Sequence, residues 1–227
     1  MKNLLIVCVA LLVGCGAGGS ANKGATVSTE SFPLKAGLSA RAASGATETF
    51  TVSGTCTGSA TFTRSAASAS TFEGKASLET IQSVAVEFSD CTPDSNTVSG
   101  SDHVDANQAP LGSSVPDLEY AALLNAATPL PASVKVGDSG DYATLATYAD
   151  SSKTVVTGQR VLSFVVEAET ANTAIVKLIV KGYDATAQLL FTQQSRHRIA
   201  ADGSLSLMSI DVQFSTTSNN HQVYTRA

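Results

Sequence analysis

The sequence predicts a mainly β protein: an antiparallel meander forming a curved half-barrel, an up-and-down barrel or a two-sheet sandwich, with at most one short helix. Three observations carry that expectation. Ser and Thr fill 54 of 227 positions while charged residues are only 15%, with no Trp. Helical bundles need Ala, Leu, Glu and Lys in bulk, whereas short strands tolerate Ser/Thr-rich surfaces. The last ninety residues hold six segments of alternating polarity separated by turn residues, the period of a strand rather than a helix. Within them stands Asp202-Gly203, a pair favoured in tight hairpin turns.

In chain order, Met1-Lys2-Asn3 is a short positive start and Leu4 to Val13 is an apolar run. Ten helical residues span about 15 Å, half of a hydrocarbon core. Residues 1–14 therefore fit a cleaved export signal rather than a membrane span. The run ends in Leu12-Val13-Gly14-Cys15. Residues 15–45, rich in Gly, Ser and Ala, read as a flexible tether, and Phe32-Pro33-Leu34 is the point where it would dock on the domain.

Residues 46–227 read as a single β domain, with an amino-terminal lobe at about 46–115 and a carboxy-terminal meander at about 134–227. Thr49–Cys56 and Ala60–Arg64 alternate around a turn at Gly58, and Gln82–Ser89 places Val84, Val86 and Phe88 on one face. Thr92 to Gly112 is polar and punctuated by Pro, Asn and Gly, which predicts a loop. Pro116 to Leu124 fits a short helix with Pro in its first turn, or almost equally a strand. The six carboxy-terminal segments are Tyr142–Tyr148, Gln159–Ala168, Ala174–Tyr183, Gln188–Ile199, Leu205–Phe214 and His221–Arg226.

A two-residue turn on Asp202-Gly203 pairs residues whose numbers sum to 405, so that Phe191 faces Phe214, Gln193 faces Val212, Ser195 faces Ile210 and His197 faces Met208. A turn on Ala185-Thr186 pairs numbers summing to 371, so that Val180 meets Phe191 and Leu178 meets Gln193. An odd-length loop near Thr170–Thr173 keeps Leu162, Phe164 and Val166 in phase with them. One apolar face results. The opposite face mixes Lys177, Lys181, Arg196, Arg198 and Asp211 with Val161, Val165, Ile175, Ile179, Leu190 and Leu207, which predicts strong curvature or partial cover by the amino-terminal strands. No outward apolar band supports a transmembrane barrel.

For chemistry, the net charge of −5 removes the electrostatic basis for nucleic-acid binding. Gly137-Asp138-Ser139-Gly140 looks like the nucleophile motif of trypsin-like proteases, but Asp141 follows where that motif has Gly, so it reads as a turn. His103, His197 and His221 lie far apart without ligand spacing, and no HExxH, P-loop or GxGxxG is present, so no metal or cofactor is expected. Asp102, His103, Asp105 and Asn107 read as a solvated acidic loop. On the registers above, Gln193, Ser195 and His197 share the apolar side. Buried polar groups need partners, so that end of the sheet either opens to water or lines a cavity that orients a ligand.

Two resemblances follow from these residues. Leu12-Val13-Gly14-Cys15 resembles the lipobox of bacterial lipoproteins, which implies cleavage before Cys15 and acyl chains on it. Gly rather than Asp at position 16 implies an outer-membrane destination. Two or more chains hold a protein stably where one does not. Cys8 would leave with the signal and Cys15 would carry lipid, so Cys56 and Cys91 remain as a pair in an oxidising compartment and are expected to form a disulfide. Gly54–Ala60, Cys91-Thr92-Pro93 and the meander resemble Ser/Thr-rich β-meander lipoproteins of Gram-negative bacteria, a likeness that implies no catalytic residues. The expectation is a lipid-anchored envelope protein, structural or protein-binding and without catalysis. The alternative is a carrier or sensor holding an apolar small molecule beside Phe164, Leu178, Phe191 and Phe214.

Overall fold

The computed structural model describes residues 27–215 and 220–227. The signal, Cys15 and the first part of the expected tether lie outside these residues. One helix, α1 (Leu34–Ala43), precedes thirteen strands: β1 (Ala46–Gly54), β2 (Gly58–Arg64), β3 (Ser68–Phe72), β4 (Lys75–Phe88), β5 (Ser95–Val104), β6 (Pro110–Val115) and β7 (Glu119–Leu123), then β8 (Ser139–Tyr148), β9 (Val156–Ala168), β10 (Thr173–Asp184), β11 (Leu189–Ala200), β12 (Leu205–Phe214) and β13 (His221–Arg226). The sheet is antiparallel throughout. Neighbours in sequence pair from β4 to β13, β13 returns to β1, and β2 pairs with both β1 and β4. That last pairing, Gly58↔Phe88 to Arg64↔Gln82, closes a ring of twelve strands. β3 lies outside the count because it shares an edge of β4 with β2, taking Lys75 to Glu79 while β2 takes Gln82 to Phe88.

Closure settles the expected alternatives in favour of a barrel and removes the exposed edges of an open sheet. The amino-terminal strands complete the ring instead of covering the meander's outer face. Twelve strands enclose more room than the eight whose side chains alone fill a barrel. Here two apolar clusters, a layer of long charged side chains and α1 occupy the interior.

α1 corrects the tether. Leu34 and Leu38 are buried against Leu145, Leu162, Phe164, Val176 and Leu178 of the barrel interior, so residues 34–43 seat one mouth of the barrel. Phe32, fully buried, forms a bridge with Val134 just before the helix. The buried positions Leu34, Gly37 and Leu38 and the partly buried Arg41 follow helical spacing, yet two of the four are not apolar. That is why periodicity did not reveal the helix. Gly37 is required by proximity: a Cβ there would stand 2.7 Å from the Gly203 carbonyl oxygen.

The region expected as a helix at Pro116–Leu124 is a turn followed by β7, and the region expected as a loop at Thr92–Gly112 contains β5 and part of β6. The inward positions of β5 include Gly100 and Asp102 beside Val98, so alternation there does not separate apolar from polar. The six carboxy-terminal strands stand within about three residues of their expected limits at each end.

Register differs in detail. β9 and β10 pair as expected, Leu162↔Val180 and Phe164↔Leu178. β10 and β11 pair Val180↔Gln193 and Leu178↔Ser195, two residues from expectation: one from a three-residue turn between Asp184 and Gln188 held by the Asp184 carboxylate, and one from a bulge between Gly182 and Tyr183. A shift of two keeps every side chain on its face. β11 and β12 pair Phe191↔Phe214, Gln193↔Val212 and Ser195↔Ile210 as expected, but His197 faces Leu207 rather than Met208. Two departures cancel there. The turn has three residues, with Gly203 at φ +86°, and a bulge beside His197 restores the phase.

Candidate functional site

The inner face is apolar at its two poles and charged between them. One cluster gathers Phe50, Val52, Val84, Val86, Ile210 and Tyr224; the other gathers the helix with Leu162, Phe164, Val176 and Leu178. Between them the strands bring inward a set of ionic side chains: Glu48 of β1, Arg64 of β2, Asp102 of β5, Glu119 of β7, Arg160 of β9 and Arg226 of β13, joined by Arg41 of α1. Each is in phase with apolar neighbours on its strand, as Glu48 is with Phe50 and Val52, and Arg160 with Leu162 and Phe164. A charge in phase with an apolar row is the signal that locates this layer in the sequence.

Glu48 pairs with an arginine on each of two sides. Arg41 Nη2 lies 3.0 Å from its Oε2, and Arg226 Nη1 lies 3.4 Å from its Oε1. Arg160, almost wholly buried, pairs with Glu119. Asp102 Oδ2 accepts from Gln82 Nε2 at 2.5 Å. Arg64 Nη2 donates to the carbonyl oxygens of Arg41 and Ser44 at 2.7 and 3.0 Å. It thereby supplies the last turn of α1 with the cation that a helix carboxyl end favours.

The positive side of this layer is under strain from its own charges. Burial and then repulsion from Arg41 lower the Arg64 guanidinium to about 10, against a smaller opposing pull from Glu48. Beside them, burial first, then Arg41 and Arg64, push His197 down to about 3. His197 is therefore a neutral base at physiological pH, and its Nδ1 has no hydrogen-bond partner among the described residues.

A cavity of about 60 Å³ opens between the carboxyl half of α1 and the wall made by β5, β6, β8 and β9. Arg41, Arg64, Arg160 and Asp102 line it together with Leu38 and Leu162.

Gln193, Ser195 and His197 lie together on the inner face as expected, at 4%, 5% and 2% exposure. They do not open to water, and none of them lines this cavity. Cys56 and Cys91 are joined by a disulfide with a Cα–Cα distance of 5.8 Å. His103 and Asp102 are not in a solvated loop. Both are buried in β5, Asp102 inward and His103 outward beneath the Phe72 ring at 4.4 Å. Burial lowers the His103 pKa against the pull of Glu79. Ser139 of the protease-like motif is an exposed residue at the start of β8, and Asp138 closes the turn by accepting from the Lys135 amide.

No family model matches the chain, and no curated protein matches it. Among solved structures, it is similar to a DUF1329 family protein from Desulfovibrio piger ATCC 29098, at 9% identity and a TM-score of 0.24. The likeness covers 86% of this chain and 92% of that one, and it is too loose to transfer a fold or a function.

Proposed function

We propose that this protein is a lipid-anchored component of the bacterial cell envelope, acylated at Cys15, with a closed barrel that serves a structural or protein-binding role rather than catalysis. The lipobox-like Leu12-Val13-Gly14-Cys15 carries this proposal. The Cys56–Cys91 bridge supports it, since a lone structural disulfide belongs to an oxidising compartment such as the periplasm. Val27 follows Cys15 by 27 − 15 = 12 positions. A fully extended chain of that length spans at most about 40 Å. The anchor would therefore hold the start of the folded body, just ahead of α1, within about 40 Å of the bilayer.

The carrier alternative draws less support. Phe164 and Leu178 belong to one packed cluster, Phe191 and Phe214 to another, and none of the four lines the cavity under α1. A space of about 60 Å³ does not admit an acyl chain.

Mass spectrometry of the protein extracted from membranes tests the anchor. The expected product begins at Cys15 and carries diacylglycerol, partitions into detergent, and becomes aqueous in the Cys15→Ser variant. Recovery of the native protein from the soluble periplasm with an unmodified Cys15 would overturn the proposal.

A further inference from the structure

The cavity beneath α1 has a chemistry that neither the anchor nor the barrel's stability requires. Arg41, Arg64 and Arg160, from the helix, β2 and β9, line one small space whose surface is mostly apolar, with Asp102 as the carboxylate in its lining. Glu48 and Glu119 reach Arg41 and Arg160 from outside that lining. Arg64, held by two carbonyl oxygens, carries a charge made costly first by burial and then by repulsion from Arg41. His197, kept neutral first by its burial, is pushed further the same way by these two arginines. The walls are apolar, from Leu38, Leu145, Leu162 and Pro110, so the dielectric screening that would weaken these charges in water is reduced.

We propose that this cavity is a binding site for a compact oxyanion, a carboxylate or a phosphate group, held between Arg41 and Arg64 under the last turn of α1. The volume corresponds to the share of about two waters in the liquid, which suits one such head group and little more. Guanidinium forks match the two oxygens of a carboxylate or phosphate, and the anion would offset the Arg41–Arg64 repulsion. Gln108 and Pro110, at the β5–β6 turn, form part of the cavity wall. Because Arg41 and Ala42 belong to α1, occupancy stabilises the helix in its seat and couples anion binding to the segment that leads to Cys15. The site stands on the barrel alone and does not depend on acylation.

Thermal unfolding of the full-length protein, disulfide intact, tests this with sodium acetate and sodium phosphate against sodium chloride at equal ionic strength. A ligand at about a hundredfold over its Kd raises the Tm of a domain this size by about 5–10 °C. At least one of the two oxyanions is expected to give such a saturable rise; which one identifies the head group. Ala42→Leu fills the cavity while leaving every guanidinium in place. It is expected to retain the basal Tm within a few degrees and to abolish the rise; Arg64→Gln is expected to lower the basal Tm, through the lost bonds to the Arg41 and Ser44 carbonyls, and to abolish the rise as well. If neither oxyanion exceeds chloride, or if the rise survives Ala42→Leu undiminished, the site does not exist.

Discussion

The two walls of this barrel face the same interior but use different means to fill it. From β8 to β13 the inner row is mostly apolar, with Phe164, Val166, Val176, Leu178, Val180, Ile210 and Val212 in phase, broken by Arg160 of β9 and by the Gln193, Ser195 and His197 row of β11. From β1 to β7 the inner row mixes Val52, Val84 and Val86 with Glu48, Arg64, Gln82, Asp102 and Glu119. Burial in the first wall follows from the hydrophobic effect strand by strand. Burial in the second is tolerable only because the charges meet partners on other elements, Glu48 on α1, Glu119 on β9 and Asp102 on β4. An interior position thus requires satisfaction rather than hydrophobicity, and a strand with charged inner positions has no meaning until the ring is closed.

Mutations separate the two walls. Leu178→Ala, at a fully buried position of the apolar wall, is expected to cost about 4 kcal/mol through lost transfer energy and a residual cavity, measured by denaturant titration at constant m-value. Glu48→Gln, on the charged wall, is expected to cost about 3 kcal/mol, because it leaves Arg41 and Arg226 facing each other without their shared carboxylate. A cost near zero would show that the charges are solvated and the two walls are not different in kind.

His197 joins the two walls, and its titration sharpens the comparison. Unfolded, it binds a proton below its ordinary value of about 6.5; folded, it stays neutral down to about 3. The unfolded state therefore holds more protons in that window, so stability falls as pH falls. The group alone contributes a loss of about 2 kcal/mol between pH 6.5 and pH 5. His197→Gln is expected to flatten that part of the pH–stability curve, and an unchanged slope would place the acid sensitivity elsewhere. The smallest effect tests the seat of α1. Gly37→Ala should stabilise a free helix by about 1 kcal/mol. Here the close approach to Gly203 reverses the sign, and a loss of about 1 kcal/mol is expected.

Legibility followed the same division. The limits of β9 to β13 and the shared face of Leu162, Phe164, Val176 and Leu178 were readable because period two coincides there with apolar against polar. The turns were read one residue too short at both Asp184–Gln188 and Ala200–Ser204, since three-residue turns with a left-handed residue use the same Asp and Gly that mark two-residue ones. Ala187 at φ 63° and Gly203 at φ 86° hold those positions. The row Gln193, Ser195 and His197 was placed on the correct face, but its surroundings were not. Burial sets the state of His197 first, and the arginines that add to it come from residues 41 and 64, more than a hundred positions away. α1 does not stand out in the sequence because its inward stripe includes Gly37 and the partly buried Arg41, placed there by the Gly203 turn and Glu48. The Cys56–Cys91 pair needed only elimination among four cysteines.

The sequence by itself determined the strand period, the meander of the last ninety residues, the inward row of apolar side chains and the pairing of two cysteines, because these depend on neighbours two residues apart or on a count. Tertiary structure alone decided that β2 meets β4, that a helix occupies the mouth, and that Arg41, Arg64 and Arg160 turn toward the interior. Those outcomes depend on closure. Only when the ring brings Arg41, Glu48 and Arg64 together can their charges leave water at a tolerable cost.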